Sequence, residues 1–240
     1  HAFMPFGKAY VGAEASMDLF LGSEPGKDKP GPTIRGGLTG GFQIADRIAA
    51  FAYVEGSKIS KLNSTIIAEV KCTQTLFDEI ERLGGKAIMS KAGHSIIKAK
   101  MRETGAVLGG EMSGHIFFAD RFYGFDDACY AGARVLEILS KTDKTLSEIF
   151  SEFPKIFSTP EIRVPCAEER KAFVIEKLIE EFSKTNKINT IDGIRIKFKN
   201  GWGLVRPSNT QALLILRFEA DSEENLGEIR SIVEKTLENL

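Results

Sequence analysis

Sulfur is sparse in this chain, and neither sign of charge dominates it. Three cysteines, Cys72, Cys129 and Cys166, are odd in number and far apart, which argues against a disulfide framework or a metal knuckle. Reduced, buried thiols in a reducing cytoplasm are expected instead. Lys and Arg number 32 against 33 Asp and Glu, a formal net charge of -1, so no global field draws the chain to nucleic acid or to a membrane. Only a local anion site stays open. No apolar run nears the ~20 residues of a transmembrane helix, and the N-terminus has no signal-peptide pattern, so a cytoplasmic location is expected. What remains is a globular composition, 42% hydrophobic over 240 residues, with room for one large domain or two ordinary ones. Because the first residue is His1 rather than Met, the chain is read as trimmed from, or renumbered within, something longer.

Residues 1–41 hold no lasting helical or strand period. Gly and Pro punctuate Gly22 to Gly41, so this stretch is expected to be an irregular remnant or linker. From Phe42 periodicity sets in. Ile44, Ile48 and Phe51 predict a helix through Asp46–Val54, and Ser64–Val70 reads as a buried strand. A helix over Gln74–Leu83, stopped by Gly84-Gly85, precedes a short strand at Lys86–Met89. A second helix over Ser95–Glu103 ends at Gly105, a strand covers Ala106–Leu108, and a helix covers Asp126–Ser140 with Ala128, Ala131, Val135 and Leu139 along it. Strands alternating with helices predict a parallel α/β sheet, whose ligands collect beyond the carboxyl ends of its strands. Ser151–Val164, with Pro154 and Pro160, reads as a linker. Beyond it a helix over Glu168–Ser183, an alternating Ile194–Phe198, a turn at Asn200-Gly201 and a strand over Leu213–Phe218 predict a smaller antiparallel α+β unit. Asp221 with Glu224 is read as the cap of the last helix.

Four clusters carry chemistry. Lys71-Cys72-Thr73 follows a strand, where a lysine can reach a sugar hydroxyl or phosphate, or simply be solvated. Lys91-Ala92-Gly93-His94-Ser95 opens a helix, so His94 and Ser95 are either anion or hydroxyl contacts, or Ser95 is a plain cap. The central stretch Gly110-Glu111-Met112-Ser113-Gly114-His115 sets a carboxylate, a hydroxyl and an imidazole between two glycines whose backbone freedom lets them converge. Glu111 can accept from vicinal hydroxyls, Ser113 can assist, and His115 can exchange a proton near neutrality. Arg206-Pro207-Ser208-Asn209-Thr210 offers a guanidinium fork with hydroxyl, amide and backbone donors, a phosphate cradle or else a polar hairpin. A sugar-type loop and a phosphate-type loop together suggest a phosphosugar held between two units.

These motifs resemble the α-D-phosphohexomutase family, in its phosphomannomutase/phosphoglucomutase branch. The resemblance rests on Val70-Lys71-Cys72-Thr73, Gly93-His94-Ser95, Gly110–His115, Arg121-Phe122-Tyr123-Gly124-Phe125-Asp126-Asp127, Asp192-Gly193 and Gly201–Thr210, and runs from about Phe42 to the end. Met112 stands where the phosphoglucosamine mutase branch typically has Gln. The resemblance implies a four-domain enzyme of which this chain supplies the third domain, about 42–155, and the fourth, about 156–240. The expected fold is a Rossmann-like mixed α/β domain followed by a smaller α+β domain with an antiparallel sheet.

It further implies that Glu111 and Ser113 bind sugar hydroxyls and that Lys71, His94 and His115 act as catalytic contacts or proton-transfer groups. Arg206, Ser208, Asn209 and Thr210 would hold the phosphate not being transferred. The family reaction is reversible interconversion of hexose 1- and 6-phosphates through a phosphoserine and a bisphosphate intermediate, with Mg²⁺ and a glucose 1,6-bisphosphate-type activator. The family's Ser-His-Asn and Asp-x-Asp-x-Asp-Arg motifs do not occur here; Asp46-Arg47 follows Gln43-Ile44-Ala45, so no metal ligands are expected in this chain. The expectation is therefore a phosphosugar-gripping half whose partners are a hexose phosphate and the missing N-terminal domains, inactive alone. The alternative is a non-catalytic phosphosugar-binding or interaction protein derived from the same half.

Overall fold

The computed structural model describes residues 63–240, together with two strand segments, β1 (Ala15–Met17) and β2 (Ile34–Gly36). These two pair antiparallel; at three residues each they are too short to carry a period in the sequence. The helix expected over Asp46–Val54 and the Asp46-Arg47 pair lie outside the described residues.

The next elements are β3 (Thr65–Glu69), α1 (Gln74–Arg82), β4 (Lys86–Ser90), α2 (His94–Thr104), β5 (Leu108–Gly110), β6 (Ile116–Phe118), α3 (Ala128–Leu139) and α4 (Leu146–Ser151). Their four strands run in the order β4-β3-β5-β6. β3 is parallel to both β4 and β5, while β6 returns antiparallel to β5. The sheet is thus mixed rather than wholly parallel, because β5 and β6 are joined by a hairpin too short for a crossover. Both faces are covered. Ile66 and Ala68 pack with Leu76, Phe77 and Ile80 of α1, Ile138 of α3 and Ile149 of α4. Ile67 points to the other face, against Ile97 and Met101 of α2 and Phe117 of β6. Burial on two faces accounts for the continuous apolar run of β3. On α3 the buried positions are Arg134 and Ile138, and Val135 is only partly buried. Arg134 lies over the Phe118 ring and pairs with Asp120, so a charged residue fills a place that apolar periodicity assigns elsewhere.

The remaining elements are β7 (Phe157–Ser158), β8 (Ile162–Pro165), α5 (Glu168–Phe182), β9 (Lys187–Asn189), β10 (Ile194–Lys197), β11 (Gly201–Pro207), β12 (Leu213–Ala220) and α6 (Glu223–Glu238). They form an antiparallel sheet in the order β7-β12-β11-β10-β9, with β8 also on β12. Val174, Leu178 and Phe182 of α5 and Ile229 and Val233 of α6 bury the apolar face of this sheet. The stretch read as a linker is therefore partly sheet: β7 and β8 both pair with β12, and the prolines flank short edge strands rather than interrupting a central one. The last helix is capped by Ser222, whose side chain accepts from Asn225 N; Asp221 instead accepts from the Asn225 side-chain amide. Of the three cysteines only Cys72 is buried; Cys129 is exposed and Cys166 partly so, and none is in a disulfide.

The two sheets meet at the carboxyl end of β3. Val70, Trp202 and Leu204 form one apolar cluster there. Glu219 Oε1 accepts from Thr73 Oγ1 at 2.9 Å, from Gln74 N at 3.0 Å and from Trp202 Nε1 at 3.0 Å. Arg195 donates to the Val70 and Cys72 carbonyls at 2.7 and 3.2 Å while its guanidinium lies 3.8 Å from the Trp202 ring centroid.

Candidate functional site

Three of the four clusters lie where the parallel strands end: Lys71 past β3, Lys91–Gly93 past β4 and Glu111 past β5. The register of β5 with β6 pairs Gly110 with Ile116, leaving Glu111–His115 as a five-residue hairpin loop. Glu111 N donates to His115 O at 2.9 Å and Gly114 N to Glu111 O at 3.0 Å, which closes the loop. Gly114 has φ of 93°, a conformation that favours glycine, whereas Gly110 is an ordinary strand residue. Only one of the two glycines supplies the freedom expected of both. Met112 is buried in the core, and its N–H donates to Glu69 Oε1 at 3.1 Å; Ser113 and His115 are exposed.

The loop is tied to the start of α2. Gly93 N donates to Glu111 Oε1 at 2.6 Å, so the carboxylate sits at the positive end of a helix. Gly93 is the N-cap and no side chain caps the helix, so Ser95 has no capping role and lies exposed with His94 in the first turn. The His94 and His115 rings are 6.0 Å apart. His115 Nδ1 is hydrogen-bonded to Asp126 Oδ2, while Asp126 Oδ1 accepts from Ile116 N. An ionised carboxylate can only accept, so this contact places a proton on Nδ1 and leaves Nε2 as the site for exchange.

Lys71 is more enclosed than a solvated strand-end lysine. Its Nζ donates to Glu161 Oε1 at 2.8 Å and stands 3.4 Å from Glu69 Oε1. Burial opposes its charge, but the Glu69 and Glu161 carboxylates outweigh that and hold the ammonium above its usual range. Lys71 is thereby a persistent cation and hydrogen-bond donor. Burial pushes the Glu69 carboxyl up, with Lys71 and the Met112 N–H working against it.

Arg206, on β11, is buried, and its Nε donates to Asp192 Oδ2 at 2.9 Å. The same Asp192 oxygen accepts from Ala92 N at 3.1 Å. Gly193, with φ of 75°, makes this possible: a Cβ there would meet Val205 O at 2.3 Å, so the turn presses directly on β11. Among the described residues neither terminal nitrogen of Arg206 has a hydrogen-bond partner. Ser208 is buried and its Oγ accepts from Thr210 N and Gln211 N, so the hydroxyl organises its own loop and keeps its proton to donate. Asn209 and Thr210 are exposed.

The structure therefore brings Lys71, His94, Glu111, Ser113 and His115 to one end of the first sheet and joins them to Arg206 through Asp192. The supporting residues that sequence reading missed are Glu69, Asp126, Glu161 and Asp192. Asp126 and Asp192 stood within recognised motifs; Glu69 and Glu161 carried no local signal. Among the described residues no group of three or more His, Cys, Asp or Glu side chains could hold a metal ion, so they do not fit a Mg²⁺ site.

A carboxylate and two imidazoles are set at the strand ends of the first sheet, where α/β proteins collect their ligands, and a guanidinium of the second sheet is joined to them through Asp192. Residues 45–157 match the family model for phosphoglucomutase/phosphomannomutase, alpha/beta/alpha domain III, and residues 161–236 match the model for the C-terminal domain of the same proteins. The chain belongs to the phosphoglucomutase/phosphomannomutase family. It is 43% identical over 221 residues to a phosphomannomutase/phosphoglucomutase of Pseudomonas putida, a match covering 91% of this chain and 47% of that relative. It is 46% identical over 177 residues to a phosphoglucomutase of Neisseria gonorrhoeae, covering 72% of this chain and 38% of the relative. A crystal structure of a phosphoglucomutase/phosphomannomutase family protein from Burkholderia thailandensis superposes with a TM-score of 0.72 at 40% identity, over 82% of this chain and 41% of that one. The chain thus spans about half the length, or less, of the relatives it matches.

Proposed function

We propose that residues 42–155 and 156–240 are the sugar-holding and phosphate-holding domains of a hexose phosphate mutase that interconverts 1- and 6-phosphates. Glu111, through the oxygen not bonded to Gly93, and the Ser113 hydroxyl hold sugar hydroxyls. His115 Nε2, with His94 beside it, exchanges a proton with the hydroxyl that gives or takes the phosphoryl group. Lys71, held as a cation, steadies charge on the substrate. The terminal nitrogens of Arg206, with Ser208, Asn209 and Thr210, grip the phosphate that stays in place.

The observation that carries this reading is a single path of contacts. Arg206 bonds Asp192, Asp192 bonds Ala92 N, and the next residue's N–H bonds Glu111. A phosphate grip and a sugar grip are thereby held at a set spacing, as one ligand spanning both requires. In this reading the phosphoserine and Mg²⁺ of the reaction belong to the other domains of the family enzyme, with a bisphosphosugar activator, all in the cytoplasm. The metal supplies charge neutralisation on the transferred group when bound; the residues described here position the sugar and hold its proton.

One phosphate grip serves both half-reactions if the sugar turns over between them. Calorimetric titration with glucose 1-phosphate and with glucose 6-phosphate tests this. Both are expected to bind, to compete with each other, and to be weakened together by Arg206→Ala. Binding of one alone, or indifference of either to Arg206→Ala, overturns the reading.

A further inference from the structure

The loop between β11 and β12 is braced from beneath by a buried lysine that is not part of the phosphate grip. Lys171, on α5, is buried, and its Nζ donates to Ser208 O at 2.7 Å, to Gln211 O at 2.7 Å and to Glu168 Oε2 at 2.5 Å. An ammonium has three protons, and these three acceptors use all of them. Two are backbone carbonyls of the loop, so the cation closes on the segment that contains Asn209 and Thr210. Burying a lysine nitrogen is costly unless it is paired, and its carboxylate partner Glu168 is itself mostly exposed, its side chain 73% accessible. A neutral donor could tie one or two carbonyls without that cost; the use of a full charge at this spot calls for a reason.

The rest of the loop supplies one. Three carbonyls around it are taken up within the protein: Ser208 O and Gln211 O go to Lys171, Gln211 O also accepts from Leu213 N, and Ala212 O accepts from Cys166 N. The Ser208 hydroxyl oxygen takes up Thr210 N and Gln211 N. Among the described residues nothing accepts from Asn209 N–H. Carbonyl oxygens repel a phosphate and amide protons attract one, so tying Ser208 O and Gln211 O to a cation while the Asn209 N–H stays unused suits the loop to an anion.

We propose that Lys171 is a positioning residue for anion binding: it holds the Ser208–Gln211 loop in its phosphate-accepting form by tying down two of its carbonyls. The proposal rests on the phosphate-holding role of Arg206 and this loop. Its test uses the whole chain and inorganic phosphate as the probe, with Arg206→Ala, Lys171→Met and Lys171→Arg compared by calorimetry, and folding checked by urea unfolding.

Lys171→Met is expected to weaken phosphate by ~tenfold or more under conditions where the variant is fully folded, and Lys171→Arg to restore most of that loss. A merely structural brace would lower the urea midpoint and leave the affinity of the folded chain alone; unchanged affinity in Lys171→Met with loss in Arg206→Ala overturns the proposal and spares the site. Unchanged affinity in Arg206→Ala removes both. Should Lys171→Met not fold, the unaltered chain decides. Added phosphate must then shift the nuclear resonances of the Lys171 ammonium together with the Asn209 amide, and a Lys171 signal that stays put refutes the role.

Discussion

Replacing Glu219 by Leu tests whether the two sheets are fastened as described. One buried carboxylate oxygen accepts from Thr73 Oγ1, Gln74 N and Trp202 Nε1, and Leu offers none of them a partner. Each buried donor left unpaired costs ~1–3 kcal/mol. Part of this is offset because the carboxylate's own desolvation disappears, which leaves a net loss of ~2–5 kcal/mol. With a urea slope of ~2 kcal/mol/M the unfolding midpoint falls by ~1–2.5 M. Trp202 is the only tryptophan of the chain and is one of the three donors, so its fluorescence reports the affected contact directly. Glu219→Gln keeps an acceptor in place and is expected to lose less than half as much. A Glu219→Leu midpoint within ~0.3 M of the parent, a loss of only ~0.6 kcal/mol at that slope, would refute the reasoning.

Further outcomes follow from other contacts. Gly193→Ala sets a Cβ 2.3 Å from Val205 O in a left-handed turn and is expected to destabilise the second sheet by more than ~1 kcal/mol, measured by urea unfolding. It should also release Arg206 from Asp192 and weaken phosphosugar binding. Glu137 is held down to about 2 by hydrogen bonds from Arg121 and then Lys141. Its contribution is therefore present above the ordinary carboxylate range and lost as pH falls toward about 2; Glu137→Gln should flatten the acid limb of the stability curve, less so in high salt because the group is at the surface.

Much of the fold was legible because periodic apolar burial dictates it. The apolar run Ser64–Val70 predicts a strand and β3 covers Thr65–Glu69; the period over Gln74–Leu83 predicts a helix, which is α1, Gln74–Arg82. The Asn200-Gly201 turn opens β11 as its residue types require. What escaped was short or tertiary in origin. β9 spans three residues, and α4 announces itself only by the capping box of Thr145 and Glu148. Arg134 is buried because Asp120 and the Phe118 ring receive it, which no helical period can indicate. The site divides in the same way. Glu111, Ser113 and His115 stand close together in a loop whose composition is visible, and Arg206 begins a visible donor run. The groups that hold them are contacts over long separations: Asp192 reaches Ala92 across 100 residues, and Glu161 reaches Lys71 across 90. Such pairings exist only once two sheets have docked.

Inorganic phosphate and glucose 1-phosphate, each titrated into the parent chain, Glu111→Gln and Arg206→Ala, tell the two grips apart most directly. If sugar and phosphate grips are separate ends of one site, Glu111→Gln weakens glucose 1-phosphate and leaves inorganic phosphate unchanged, while Arg206→Ala weakens both. Glucose 1-phosphate binding that is indifferent to either substitution would contradict it.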